Sequence, residues 1–270
     1  MFRQEMKKAF LNQRMIFVIS ISLVLLYLSA YNQLLGSYVF IDTKADDLTS
    51  EGIQKIYEIG KNKYHIWVES FTYMQIVFVL MIVLPYTASY VSERQNKQYY
   101  LTMIRTGVNK YFRYKIIVNS IVGGLVLIIP ELIYYLVLTV IARNELLESF
   151  TFYPIGLFSS FFTNTPDLYI GVQMGLHFIL GFCFSMLALG VTSFFSNKIM
   201  VYIIPFLLYI TCDILISSMD GIRRLALANL YNFMSSTPYT LADYLMVNAV
   251  LFFIGLLLLQ VNKRMVKNNG

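Results

Sequence analysis

The sequence predicts an all-α polytopic membrane protein, a single transmembrane domain over residues 1–270. Three observations carry that reading. Mean hydropathy is +0.62, with 57% apolar and only 13% charged residues, outside the norm for soluble globular chains. The apolar residues gather into runs long enough for the roughly 20 residues a bilayer crossing needs. The basic residues, finally, are sorted between alternate loops.

The N-terminal dozen residues, Phe2–Gln13, set Phe2, Met6, Ala9 and Phe10 opposite Arg3, Lys7 and Arg14, the pattern of an amphipathic helix lying in a headgroup layer. The first span follows at Met15–Gly36; its apolar run is too long for a signal peptide, and no small-x-small site follows it. The loop 37–66 is acidic through Asp42, Asp46, Asp47, Glu51 and Glu58. Thr49 or Ser50 can cap a helix there with Ile53, Ile56 and Tyr57 on one face. Trp67, Phe71 and Tyr73 read as an interfacial aromatic belt at the head of span two, Trp67–Val91.

Next comes the most basic segment, Ser92–Tyr114. Glu93 and Lys97 are spaced i,i+4, the stabilising order on a helix, Tyr100, Met103 and Ile104 offer an apolar face, and Gly107 is a stop. Span three is Phe112–Ile141. A Phe-rich outer segment with Pro154, Gly156 and Pro166 leads to span four, Tyr169–Phe195, which a tight turn joins to span five, Ile199–Ser217. An outer helical segment with Ile222, Leu225, Leu230 and Phe233 on one stripe, ending at Ser235–Pro238, precedes span six, Tyr244–Val261.

Of 21 Lys and Arg residues, 14 fall in the tails and even-numbered loops. The other seven are Lys44, Lys55, Lys61, Lys63, Arg143, Arg223 and Arg224. The positive-inside rule therefore places both termini in the cytoplasm, with the chain in the cell membrane. The net charge of +6 reports topology and not a nucleic-acid partner. Cys183 and Cys212 both fall within spans and read as packing residues, not a disulfide framework.

The chain lacks G-x-x-x-x-G-K-[ST], H-E-x-x-H and G-x-S-x-G. His65 and His177 lie in different segments without metal-ligand spacing. No catalytic residues, metal site or cofactor is expected on this chain, and it is not read as an enzyme. Two acids, Glu131 and Asp213, lie within spans, where an acid costs about 2–3 kcal/mol on insertion scales and so faces protein or water. Ser120, Gly124, Glu131 and Tyr134 share one face of span three, and Tyr202, Tyr209, Asp213 and Ser217 one face of span five. Each acid follows a proline, Pro130 or Pro205, that frees a carbonyl one turn earlier. Ser120, Glu131, Tyr134, Tyr209 and Asp213 are thus candidates for a polar translocation pathway, with interhelical hydrogen bonding as the structural alternative. Gly171 and Gly175 form a G-x-x-x-G, followed by Gly181 and Ser185, suited to close helix packing.

The layout resembles the membrane subunit of an ABC type-2 exporter. The likeness rests on six spans, internal termini, an amphipathic lead-in helix and the run Ser92-Glu93-Arg94, Tyr100-Leu101, Arg105-Thr106-Gly107-Val108, Tyr111 and Lys115. In that family an acid ending span two precedes a short coupling helix, a basic turn and a lysine opening span three. Many members carry a glycine three or four residues after the acid, where this chain has Asn96 and Lys97. The resemblance implies a permease paired with a second permease subunit, like or unlike, in membrane lipid. ATP and magnesium would be bound by a separate ATP-binding cassette subunit. Contact with that subunit would fall on Glu93, Arg94, Lys97, Tyr100, Leu101 and Arg105. The aromatic spans favour an amphiphilic cargo: peptide, drug or lipid-like. The competing reading is an ion- or proton-coupled secondary transporter using Glu131 or Asp213.

Overall fold

The computed structural model describes residues 2–42, 48–144, 154–234 and 237–268. Asp46 and Asp47 of the acidic loop, most of the Phe-rich segment before Pro154, and Ser235–Ser236 lie outside the described residues. Among the described residues, six helices are long and apolar enough to cross a membrane: 13–35, 63–95, 108–141, 166–192, 198–217 and 241–266. The chain is thus a multi-pass membrane protein. Each expected span lies within or close to one of these helices, and several helices run a turn further into the loops.

In chain order the helices are α1 (Phe2–Phe10), α2 (Gln13–Ala30), α3 (Gly36–Val39), α4 (Ser50–Gly60), α5 (Lys63–Val68), α6 (Thr72–Val83) and α7 (Ala88–Gln95). They continue as α8 (Gln98–Thr106), α9 (Val108–Ile141), α10 (Ser159–Asn164), α11 (Pro166–Thr192), α12 (Lys198–Ser217), α13 (Leu227–Tyr231) and α14 (Leu241–Asn268). Local chemistry sets several boundaries. Asn12, Thr49, Asn62 and Asn197 each cap a helix by accepting a backbone N–H with the side chain. Pro166 occupies the first turn of α11, where its missing N–H costs nothing.

Span two is not one rod. Its second crossing segment breaks between α6 and α7 at Pro85, which has no N–H to give the ladder. The Pro85 carbonyl instead accepts from Asn12 Nδ2 at 3.2 Å, so the break is held by the hinge between α1 and α2.

Helix α11 is the hub, packing along α9 on one side and α14 on another. The seams are built from glycine. A Cβ added at Gly123 of α9 would lie 2.7 Å from the Gly181 carbonyl oxygen, and one at Gly255 of α14 would lie 2.5 Å from the Met186 carbonyl oxygen. At such spacing no other residue fits, and backbones approach until dispersion and weak C–H contacts replace side-chain packing. Gly171 and Gly175, the G-x-x-x-G expected to make such a seam, face open space. The close approach uses Gly181 and Gly190, about two and four turns beyond Gly175.

Burial is unequal. In the most apolar windows, 67% of span four is buried, but only 17% of span five and 22% of span six. The aromatic residues expected as an interfacial belt divide. Trp67 and Phe71 are fully buried, with Trp67 stacked on Phe233 at 5.4 Å and Phe71 edge-on to it at 4.9 Å. They form a plug because the segment 227–233 folds inward over them.

Valine at Gly190 is expected to destabilise the bundle by about 1–3 kcal/mol through overpacking. Valine at Gly171, which meets nothing within 4 Å, is expected to stay within about 0.5 kcal/mol of the parent. Denaturant titration of the detergent-purified chain distinguishes the two.

Candidate functional site

Two polar assemblies stand out in the apolar bundle. The first lies at the end carrying both chain termini and centres on Lys115. This lysine is 1% exposed, which for an ammonium requires partners on every side. Its Nζ lies 2.7 Å from Glu5 Oε2 and 2.7 Å from Glu93 Oε1, and donates to the Tyr86 hydroxyl at 3.2 Å and Ser89 Oγ at 3.4 Å. Tyr86 donates to Glu5, and Tyr111 donates to Glu93 Oε2 at 2.8 Å. Lys8 reaches both carboxylates, at 3.2 and 3.5 Å. Two carboxylates and two ammonium groups make the knot neutral.

The geometry follows from four local features. Helix α1 presents Glu5 and Ala9 inward and Arg3, Lys7 and Lys8 outward. It packs as a strut on α9 and not only as a surface float. The Pro85 break aims Tyr86 at Glu5, α7 delivers Ser89 and Glu93 one turn apart, and Lys115 lies one turn beyond Tyr111 on α9. Glu93 therefore pairs with Lys115 and not with Lys97. Helix α7 ends at Gln95, and Lys97 sits in the left-handed region at φ 55° between α7 and α8.

Helix α8 hangs from this knot between two backbone reversals, Lys97 and Gly107. Gly107 has φ 81°, where a side chain would be strained. Tyr99 and Met103 face the bundle, while Tyr100, Leu101 and Ile104 are 50%, 61% and 82% exposed. The expected apolar face is thus split: Met103 anchors the helix and the others point away. Arg94 donates to the Ser193 carbonyl at 3.0 Å, and Gln95 to the Ser196 carbonyl at 2.6 Å, binding α7 to the turn between spans four and five. Arg105 is exposed in the last turn of α8. Of the six residues the resemblance singles out, Glu93 is enclosed. Arg94, Lys97, Tyr100, Leu101 and Arg105 lie on the surface.

The second assembly is in the bundle interior. Glu131 Oε1 meets His177 Nδ1 at 2.8 Å, and His177 Nε2 meets the Tyr231 carbonyl at 2.8 Å. All three residues are at most 1% exposed. The His177 ring stacks on Tyr231 at 4.5 Å and lies 5.3 Å from Phe71. The carbonyl can only accept, so Nε2 carries a hydrogen. One further proton is then shared between Nδ1 and the carboxylate. Imidazolium with carboxylate and imidazole with carboxylic acid are both neutral overall. Without that proton a nitrogen lone pair would face a carboxylate across 2.8 Å. Neither Glu131 Oε2 nor the Tyr231 hydroxyl has a hydrogen-bond partner among the described residues.

The pathway residues do not converge. Ser120, Glu131 and Tyr134 are buried on α9. On α12, Tyr209 donates to the Gln75 carbonyl at 2.6 Å, and Asp213 accepts the Ala228 N–H at 2.9 Å, capping α13. Asp213 thus ties the segment between spans five and six to span five, and Glu131 pairs with span four, not span five. The sequence pattern gives His177 no metal-ligand spacing and does not single out Glu5 or Tyr86 as site residues. A histidine inside a span was itself a signal, since an intramembrane imidazole needs a partner.

No family model matches this chain, and no curated protein or solved structure shows significant similarity to it.

Burial pushes the Glu5 carboxyl up, but Lys115, Tyr86 and Lys8 outweigh it and hold it at about 2 against an ordinary 4.5. The depressed value means the unfolded strut binds protons first, so docking of α1 is fully stabilised above pH 4.5 and weakens as pH falls toward 2. Amide exchange of residues 2–10, corrected for intrinsic rates, is expected to lose protection across that window. For the inner pair, Glu131→Gln keeps a donor for His177 and is expected to cost about 1 kcal/mol. Glu131→Ala strands the imidazole beside a void and is expected to cost about 2–4 kcal/mol in denaturant titration.

Proposed function

We propose that this chain is the permease subunit of an ABC type-2 exporter, moving an amphiphilic peptide, drug or lipid-like substrate across the cytoplasmic membrane with ATP hydrolysed by a separate subunit. The observation that carries the reading is α8. A nine-residue helix at the basic end offers Tyr100, Leu101 and Ile104 to the surroundings, and is fixed at both ends to the bundle. An apolar face exposed on a rigid, charged end is a protein-docking feature. The Glu93–Lys115 knot ties that helix to spans two and three, so force on α8 would reach the bundle without being lost in a hinge.

Under this reading, Arg94, Lys97 and Arg105 frame the contact and Glu93 acts from beneath it by holding α7 against Lys115. The exposed apolar faces of spans one, five and six leave room for a second permease subunit or lipid. Both termini are cytoplasmic by the charge count.

The Glu131–His177 pair favours one alternative, an ion- or proton-coupled secondary transporter, because it sets a carboxyl and an imidazole in hydrogen-bond contact in the bundle interior. Transport by Glu131→Gln separates the two. Turnover is retained in an ATP-driven exporter and lost in a proton-coupled one.

The primary test is purification of the tagged chain from its native cell in mild detergent, with mass spectrometry of co-eluting proteins. A stoichiometric partner with a Walker A motif is expected. Leu101→Asp with Ile104→Asp should lose that partner while thermal stability of the permease stays within about 0.5 kcal/mol, since both side chains are exposed. A parent chain that elutes alone under conditions preserving known complexes overturns the reading.

A further inference from the structure

A groove of about 300 Å³ opens between the basic-end turns of α9 and α14. Its floor is apolar, with Ile116 and Ile117 on one wall and Leu256 and Leu259 on the other. Its mouth carries Arg113 from α9 and Lys263 from α14, flanked by Asn109 and Gln260. Arg113 lies three and four residues before the two isoleucines, and Lys263 four residues after Leu259. On both walls, therefore, the cation sits about one turn, roughly 5 Å, beyond the apolar floor.

These cations have no internal counter-charge. The sequence holds no Asp or Glu from Arg94 to Pro130 and none from Tyr244 to Gly270. The two acids of this end, Glu5 and Glu93, are committed to Lys115 and Lys8. Among the described residues, neither Arg113 nor Lys263 makes an ion pair or side-chain hydrogen bond. Two cations facing one another over an apolar slot repel, and the arrangement is relieved by an anion with an apolar tail.

We propose that this groove binds an anionic glycerophospholipid of the cytoplasmic leaflet. The phosphate sits between Arg113 and Lys263, Asn109 and Gln260 hydrogen-bond to the headgroup, and an acyl chain lies along Ile116, Ile117, Leu256 and Leu259. The charge complementarity supplies the anion, and the one-turn offset between cation and floor supplies the amphiphile. A soluble phosphate would leave the floor empty, and an acidic protein segment would have to bury carboxylates against it. The lipid joins the ends of spans three and six, which α11 holds apart. The inference does not depend on how transport is powered.

The test uses the full chain in detergent, incubated with equal amounts of phosphatidylglycerol and phosphatidylcholine of matched acyl chains and read by native mass spectrometry. Each cation near a headgroup is worth roughly fivefold in affinity, so the parent is expected to retain phosphatidylglycerol in clear excess. The double variant R113Q/K263Q should fall to parity, and the charge-preserving R113K/K263R should keep the excess. The control K110Q/K198Q removes two basic-end charges outside the groove and should leave the preference intact. Absence of a preference in the parent, or its persistence in R113Q/K263Q, overturns the proposal. Equal loss in the control double variant would reduce the effect to general surface charge and also overturns it. Displacement of the lipid by millimolar inorganic phosphate would assign the cations to a free anion. Loss of a co-purifying protein from R113Q/K263Q with lipid preference unchanged would assign the groove to that protein.

Discussion

The fully enclosed ammonium of Lys115 is the constraint on which the basic end of the bundle depends. A lone ammonium in a low-dielectric interior costs several kcal/mol even after relaxation, and only close, well-oriented anions offset that. Lys115 has two, and each comes from a different part of the chain: Glu5 from the N-terminal strut and Glu93 from the end of span two. Meeting its requirement fixes α1 against α9. It also fixes the Pro85 break that turns Tyr86 inward and the angle at which α7 runs into α8. The position of the exposed helix is thus set by electrostatics two turns away. A buried ion pair is weak evidence for net stability, but breaking one partner leaves an unpaired charge, so the geometry is held tightly.

Elsewhere the bundle is held by shape. Glycine at 123, 181, 190 and 255 lets α11 sit directly against α9 and α14. In a membrane such contacts matter more than apolar burial, because lipid tails are as apolar as leucine. The same α9–α11 seam brings Glu131 to His177. Asn119 of α9 adds to it by donating to the Ser185 carbonyl at 2.7 Å while accepting from Thr87 at 3.0 Å. These two polar contacts across the seam, Glu131 to His177 and Asn119 to the Ser185 carbonyl, also fix the register of the helices.

At the opposite end, the segment between spans five and six is folded over the bundle and not laid along a surface. Asp213 caps α13, the Tyr231 carbonyl accepts from His177, and Phe233 stacks on Trp67. These contacts explain why Trp67 is buried. A belt of aromatic residues and a packed aromatic plug have the same composition, and only the fold of residues 227–233 distinguishes them.

Legible in the sequence alone are the six spans, the asymmetry of charge between the two ends, a cap at Thr49 or Ser50, the stop at Gly107 and a short helix between spans two and three. Those features are sums over neighbouring residues: hydropathy in a window, charge in a loop, φ at one glycine. The tertiary structure alone decided who partners whom. Lys115 reads in the sequence as the lysine that opens span three, and becomes the centre of a knot only when Glu5, 110 residues earlier, is beside it. His177 reads as an isolated ring until α11 lies against α9 and Glu131 faces it. Gly171 and Gly175 had the spacing of a seam but not the position. Partnership between buried groups is a property of two distant residues and of the rotation of their helices, and neither is written in the local pattern of either one.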